Sequence, residues 1–351
     1  MCGIFGIVNF NGDAVSEDSL KKMSLKMKHR GPDDDGIIIE KNIGIGMRRL
    51  SIIDIEGGHQ PISNSSNNIH VVLNGEIYNY KELREELESK GYKFQSKSDV
   101  EVLVHLYEEE GLECIHKING MFAFILFDHL NDKVWIARDR LGIKPLYYYY
   151  DKEKIIAGSD LSALNTIAKK PLDRDSVILY LGYSYVPAPK TIYKNIYKLM
   201  PAEQILIQGC SINISKYWEI ENIPQELVDK QEAISSLRCA LEKSITLQTR
   251  SDVPIGVFLS GGVDSSAIAL LMKKIRPNDN LYTFTVDYAD KGSDDSKYAK
   301  LIAKKINSHH QTIRVTKQDQ FNALSNLMPY MDEPVSDSAI VSTYIVSKKA
   351  K

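Results

Sequence analysis

Apolar positions over the first two-thirds of the chain fall into short alternating or β-rich runs: GIFGIV, IGIGMRRLSI, IHVVLNGEI, MFAFILFD, KVWIARD, LYYYY and AEQILI. Turn residues separate them, and runs of this kind predict strands. Three segments change to helical spacing: Ser16 to His29 with Ser16 as N-cap, Tyr80 to Lys90 before Gly91, and Asp99 to Glu110 before Gly111. Helices laid over predominant sheets form a layered sandwich. The tyrosines at 147–150 are expected to alternate sides of a strand, and the proline- and tyrosine-rich GYSYVPAPKTIYKNIYKLMPAEQ to wrap a domain surface.

After Trp218 the rhythm becomes strand then helix: VPIGVFL with SSAIALLMKKI, LYTFTVDY with SKYAKLIAKKI, HQTIRVT with a mostly helical stretch. That alternation predicts a parallel sheet with crossover helices, where ligands bind at the carboxyl ends of the strands. The expected domains are therefore 1–218 and 219–351.

Composition bounds the picture without naming a function. A chain of 351 residues with 43% hydrophobic content can build two cores. Its 44 basic and 46 acidic residues give no basic footprint for nucleic acid. Cys2, Cys114, Cys210 and Cys239 lie far apart without zinc spacing, as expected for a reducing, cytoplasmic location. The apolar start lacks a basic n-region and is broken by Asn9, Asn11 and Asp13, unlike a signal peptide. No apolar run approaches the roughly 20 residues of a membrane span. His309 and His310 lack ligand spacing to another cluster and are expected to flank a strand.

Two stretches carry candidate chemistry. With Met1 trimmed, Cys2 would join a thiol to a free α-amine, whose ordinary pKa of roughly 8 lets it take and return the thiol proton. Taken alone, Cys2 reads first as an incidental small residue. The second stretch is SGGVDSS, Ser260 to Ser266, where the first predicted strand of the second half meets its helix. Gly261 and Gly262 permit a tight turn, the serines add donors, and a helix N-terminus faces the ligand, which together seat a phosphate. The lysine and spacing of a P-loop are absent.

MCGIFG, HRGPDDDG, RLSIID, NGEIYN, SDVEVL, GMFAF, RDRLGIKPLYY and SGGVDSS occur here in the order found in glutamine-hydrolysing asparagine synthetases, which the whole chain resembles. The resemblance implies an α+β N-terminal-nucleophile sandwich (αββα), a glutaminase, followed by a partial α/β ATP-pyrophosphatase-like domain. It implies that Cys2 hydrolyses glutamine and that the ammonia passes through the protein to an aspartyl-adenylate, yielding asparagine, AMP and pyrophosphate.

By the same resemblance Asn74 and Gly75 would stabilise the oxyanion, Arg49 would hold the substrate carboxylate, and Glu76 and Asp99 its ammonium. Read without the family, Asp99 is an N-cap. Backbone groups of Arg49, Leu50, Ser51, Ile52 and Ile53 would complete the glutamine pocket. Arg30 to Asp33 resembles a loop closing over the site, and reads equally as a helix stop. In the second domain the resemblance assigns pyrophosphate to Ser260, Gly261, Gly262, Val263, Asp264, Ser265 and Ser266, and ATP contacts to Leu259 and Val286. Asp264 is the candidate Mg²⁺ ligand. The stretch from Asp332 onward resembles the neighbourhood of the aspartate and adenylate pocket. Expected partners are glutamine, aspartate and ATP, with a homodimer as candidate assembly and neither nucleic acid nor a membrane.

Family members continue for some 200 residues past the position of Lys351, so the glutaminase half reads as complete and the synthetase half as incomplete. Three activities stay open: an asparagine synthetase, a related ATP-dependent amidotransferase with another carboxylate acceptor, and an isolated glutaminase or non-catalytic remnant. Amidotransferases feeding amino-sugar or purine synthesis would not carry SGGVDSS.

Overall fold

The computed structural model describes residues 2–220, 229–289 and 294–351. Two compact units emerge: residues up to 222 together with 332–335, and the remainder. No helix among the described residues is long and apolar enough to cross a membrane.

The first unit contains β1 (Gly3–Asn9), β2 (Asp34–Glu40), β3 (Ile43–Arg49), β4 (Ile62–Ser63), β5 (Ile69–Ile77), β6 (Gly120–Asp128), β7 (Lys133–Arg138), β8 (Tyr147–Tyr150), β9 (Lys154–Gly158), β10 (Ile196–Lys198), β11 (Glu203–Gln208) and β12 (Ser211–Lys216). Its helices are α1 (Glu17–Lys26), α2 (Tyr80–Ser89), α3 (Glu101–Glu110), α4 (Leu161–Ala168) and α5 (Arg174–Tyr183). One six-stranded sheet has the order β10-β8-β9-β1-β3-β2, the other β12-β11-β7-β6-β5-β4. Their pairings are antiparallel.

Three apolar layers follow from the two-residue period, which turns alternate side chains to opposite faces. Ile4 and Ile45 of the first sheet meet Val72, Ile125 and Ile136 of the second in one core. Phe5 and Ile7, the alternate positions of β1, pack instead with Leu20, Met23 and Leu164 of α1 and α4. On the far side, Val71 and Leu73 of β5 join Leu83, Leu87, Leu103 and Leu106 of α2 and α3. The layering is therefore αββα, as expected. In the same outer core, buried Trp135 stacks edge-on against Phe124 at 4.9 Å and donates its indole N–H to Gln204 at 2.9 Å, so its polar atom is satisfied.

The expected helices form, with α1 and α2 ending earlier and α3 starting later, at Glu101. The Ser16 hydroxyl caps α1, but the helix stops at Lys26, and Arg30–Asp33 lies beyond a turn rather than at the helix end. Asp99 does not cap α3: Val100 holds the cap position without a side-chain bond. Tyr147 and Tyr149 face one core and Tyr148 the other, the alternation expected of the run. The segment at 182–204 is more than a surface wrap: it supplies β10 and buries Val186, Ile192, Ile196 and Leu199. Its apolar residues at irregular spacing hide that role from a periodicity argument.

The second unit contains α6 (Lys230–Gln248), β13 (Gly256–Phe258), α7 (Val263–Ile275), β14 (Tyr282–Tyr288), α8 (Asp294–Lys305), β15 (His309–Val315), α9 (Lys317–Leu327) and α10 (Ala339–Ala350). β14 pairs in parallel with β13 on one side and β15 on the other. Three parallel strands form, as expected, and among the described residues both outer strands are edges. The strand that leads into SGGVDSS is one of them, although strand order was not readable from the chain. His309 and His310 begin β15 rather than flanking it.

Candidate functional site

β1 delivers Cys2 to one end of the first sheet, beside the carboxyl end of β3, because Gly3 pairs with Arg48. The Leu50 N–H donates to Cys2 Sγ at 3.4 Å, and the thiol faces the Leu50 carbonyl at 3.6 Å. Burial pushes the thiol's pKa up, against the Leu50 hydrogen bond and the positive charges of Arg49 and Lys144. The resting sulfur is therefore a thiol, and the cations beside it offset only part of what burial costs the anion. Arg30 Nε donates to the Cys2 carbonyl at 3.2 Å, which ties the 30–33 loop to the same strand.

A cavity of about 200 Å³ opens beside this sulfur. Drug-sized pockets begin at roughly 300 Å³, so the space suits a smaller molecule. Of the residues the resemblance assigned to glutamine, Arg49, Leu50, Ile52, Ile53, Asn74, Gly75, Glu76 and Asp99 line it together with Cys2. Ser51 does not: its N–H bonds the Asp33 carboxylate at 2.9 Å, holding the 30–33 loop to the strand end.

Each lining group is held by its surroundings. Arg49 is buried and gives three N–H bonds to the carbonyls of Ile53, Asp54 and Ile55, at 2.9, 2.7 and 3.1 Å. Of a guanidinium's five donors, two remain for a ligand. The buried Asn74 donates from Nδ2 to Ser159 Oγ at 3.3 Å, while its Oδ1 is buried without a partner. Ser159 Oγ also accepts the Ile4 N–H at 3.2 Å, so one hydroxyl registers β1 against the Asn74 amide. Gly75 has φ +152, and an added Cβ would lie 2.0 Å from the Met121 carbonyl oxygen, which admits only glycine.

Two carboxyl groups face the cavity. The Asp99 carboxylate accepts the Ile77 N–H at 2.8 Å, an anchor that takes the place of the expected helix cap. Burial raises its pKa to about 6, against that bond and Arg49. Burial and the Asp99 charge raise Glu76 to about 7, with Lys144 opposing. The loop before Asp99 is fixed by Glu101, which accepts the N–H groups of Gln95 at 2.7 Å and Ser96 at 2.8 Å.

Sequence reasoning missed Gln60, Leu73, Ser98, Val100, Met121 and Lys144 as lining residues. Gln60 reaches across to take the Leu73 N–H at 2.8 Å. Lys144 lies in the RDRLGIKPLYY string, whose order carries the family resemblance without marking any one of its residues.

In the second unit, Leu259 is buried at the end of β13 and donates its N–H to the Phe284 carbonyl at 2.8 Å. Gly261 turns the loop at φ +88 and Gly262 is the N-cap of α7. The Ser260 and Ser265 hydroxyls bond each other at 2.9 Å, and Gly262 N–H reaches Ser260 Oγ at 3.2 Å. Val263, Asp264, Ser265 and Ser266 form the first turn of α7. Val286 lies in β14, paired with Ile313. A cavity of about 430 Å³ lined by Pro254, Ile255, Leu281 and Tyr282 opens at the amino ends of β13 and β14, away from this loop. Among the described residues no three His, Cys, Asp or Glu side chains gather as a metal site.

Two family descriptions match: a glutamine amidotransferase domain over residues 1–218 and asparagine synthase over residues 236–351. The glutamine-hydrolysing asparagine synthetase 1 of Bacillus subtilis is 35% identical over 356 residues, covering 100% of this chain and 56% of the relative. A putative glutamine-hydrolysing asparagine synthetase 2 of Methanocaldococcus jannaschii is 34% identical, covering 100% of this chain and 72% of its own length. Asparagine synthetase B of Escherichia coli is 34% identical, with 100% and 61% covered. The chain thus spans little more than half the length of two of these relatives. A solved structure described as the allosteric regulatory enzyme of purine biosynthesis aligns with a TM-score of 0.50 at 15% identity, covering 90% of this chain and 80% of the other, a likeness of fold. With a cysteine near the start of an αββα unit, a strand, serine-glycine loop and helix after it, and matches that cover all of this chain, the chain belongs to the glutamine-hydrolysing asparagine synthetase family.

Proposed function

We propose that the first unit hydrolyses glutamine at Cys2 and that the second contributes part of an ATP-dependent asparagine synthetase. The observation that carries the reading is the convergence of a buried thiol, a buried amide, two carboxyl groups and two cationic side chains on one small cavity. Met1 lies outside the described residues; its removal is part of the proposal, because the α-amine must belong to Cys2 to take its proton. The sulfur then attacks the side-chain amide carbon of glutamine. Asn74 Nδ2 and the Gly75 N–H are the donors proposed for the oxyanion, and such donors are worth about 3 kcal/mol each when preorganised. The C–N bond breaks, ammonia leaves with the returned proton, and water releases glutamate from the thioester. The two free Arg49 donors suit the substrate α-carboxylate, and Glu76 and Asp99 suit its ammonium.

The proposed seat for ATP phosphates is Ser260 to Ser266, with Leu259 and Val286 beside the nucleotide. Mg²⁺ typically takes one or two carboxylates plus phosphate oxygens, and the exposed Asp264 in the first turn of α7 fits that donor set. When bound, ATP supplies the activation of aspartate as an adenylate. A reaction drawing on ATP and free amino acids supports a cytoplasmic location, and the exposed apolar residues Ile178 and Leu181 on α5 support a homodimer.

The test follows glutamate release from glutamine and AMP release from ATP plus aspartate on the purified chain. Glutamate that disappears in Cys2→Ala supports the first half of the reading, and unchanged turnover in that variant refutes it. AMP formed with aspartate supports the second half. AMP formed only with another acceptor, or a second unit that binds no ATP, refutes the second half.

A further inference from the structure

The loop that follows β7 is fixed more heavily than a surface connection requires. The buried Asp139 carboxylate accepts the N–H groups of Leu141 at 3.1 Å, Ile143 at 2.9 Å and Lys144 at 3.0 Å, and that of Phe122 at 3.3 Å. Arg138 binds the same loop through its carbonyls, with Gly142 and Lys144 each at 2.7 Å. Gly142 has φ +66, and an added Cβ would meet Pro201 at 2.9 Å. Two charged side chains and a left-handed glycine therefore dictate where the backbone of Lys144 stands.

That placement puts Lys144 against the Cys2 cavity, where only 6% of the residue is exposed. It forms no ion pair with a carboxylate among the described residues. A lysine this deeply buried without a carboxylate partner is costly, and such groups concentrate at functional sites. The charges facing it are Glu76, Cys2 and Asp139, with Arg30 as a like charge. Cys2 in turn faces Arg49 and Lys144. Of these two cations, Arg49 is committed to the carbonyls at 53–55. Both keep their full charge, and Lys144 is the one that the clamped 138–144 loop delivers to the cavity.

We propose that Lys144 is a positioning residue for the Cys2 reaction: beside Arg49, its ammonium is a fixed positive charge that favours the Cys2 sulfur as thiolate, and the Arg138–Asp139 clamp exists to hold it there. This rests on the glutaminase reading for its purpose but not for its measurement. A lost counter-charge raises the thiol pKa, and below the pKa each unit lowers the thiolate fraction about tenfold.

The experiment is the rate of Cys2 alkylation by iodoacetamide from pH 6 to 10, read peptide by peptide by mass spectrometry so that Cys114, Cys210 and Cys239 are separated. Parent, Lys144→Met and Lys144→Arg chains are compared, with melting temperatures to show that each is folded. Lys144→Met is expected to move the alkylation midpoint up by about one pH unit and to slow alkylation at pH 7 about tenfold, and Lys144→Arg to recover most of the shift. In glutamine turnover, kcat should fall with KM changed less than about threefold. A folded Lys144→Met chain with the parent alkylation profile overturns the proposal. So does a raised KM with no alkylation shift, which would assign the ammonium to the substrate carboxylate instead. Absence of glutamate release from a parent chain that still shows the shift refutes the glutaminase reading while leaving the Lys144–Cys2 coupling standing.

Discussion

Glutamine binding should expel about one proton near pH 6.5, and the count follows from the two cavity carboxyls. In the free protein Glu76 titrates at about 7 and Asp99 at about 6. At pH 6.5 they carry roughly 0.8 and 0.2 of a proton. An arriving ammonium favours both as carboxylates, so both fractions, about one proton together, leave on binding. The fraction of molecules with both groups ionised falls from about 0.9 at pH 8 to about 0.05 at pH 6, so glutamine affinity should weaken about 20-fold over that interval. The perturbation is pH itself, applied to Cys2→Ala so that bound glutamine is not consumed. Titration calorimetry in two buffers of different ionisation heat counts the protons, and the same titrations at pH 6 and 8 give the affinities. Glu76→Gln should cut the release to about 0.2 proton. A flat affinity between pH 6 and 8 with no proton exchange would refute the placement of the ammonium between these carboxyls.

Four more outcomes are expected. Both carboxyls hold protons more readily folded than at their ordinary 4.5 and 3.8. The folded state therefore binds more protons, and the ligand-free chain should lose stability as pH rises from about 4 to 7; a melting temperature that climbs over this range in the parent and not in Glu76→Gln would contradict the assignment. Ser159→Ala removes the hydroxyl shared by Ile4 and Asn74, and should lower kcat for glutamine roughly ten- to a hundredfold with little change in KM. Gly75→Ala, with its Cβ forced to within 2.0 Å of the Met121 carbonyl, should cost about 3 kcal/mol or more and depress the melting temperature; a variant as stable as the parent would show that β5 and β6 can part there. Ser260→Ala with Asp264→Asn should abolish nucleotide-dependent AMP release or nucleotide binding while leaving glutamate release at the parent rate, since both residues belong to the other unit.

Much of this chain could be read from its order alone. Runs of period two gave the strands of the first unit, because a strand with two buried faces must alternate the cores its side chains serve: Ile4 faces one core and Phe5 the other. Strand then helix gave the parallel sheet, and the glycines and serines of 260–266 marked its first loop, since local turn geometry is written in local residues. Cys2 stood out by itself as a thiol beside a free α-amine, whereas Asn74, Gly75, Glu76 and Asp99 entered as a set through resemblance, not through spacing. No sequence interval places residues 2, 49, 74, 99 and 144 around one cavity.

Only the fold decides how those positions meet and what they do. Asp99 has the local pattern of a helix cap and is instead drawn to the Ile77 N–H across the unit, because a buried carboxylate takes the donor that tertiary packing offers. Val186 and Ile196 have no periodicity, yet both are buried in one core, and Ile196 pairs with Tyr149 to extend a sheet. The raised pKa of Glu76 depends on burial and on a second carboxyl 23 positions away in the chain. Lys144 reads as one more basic residue, until the Arg138–Asp139 clamp delivers its ammonium to the cavity of Cys2. Composition and periodicity set which segments become strands and helices; burial and long-range hydrogen bonding, which depend on neighbours remote in sequence, set the charge state and the aim of each side chain.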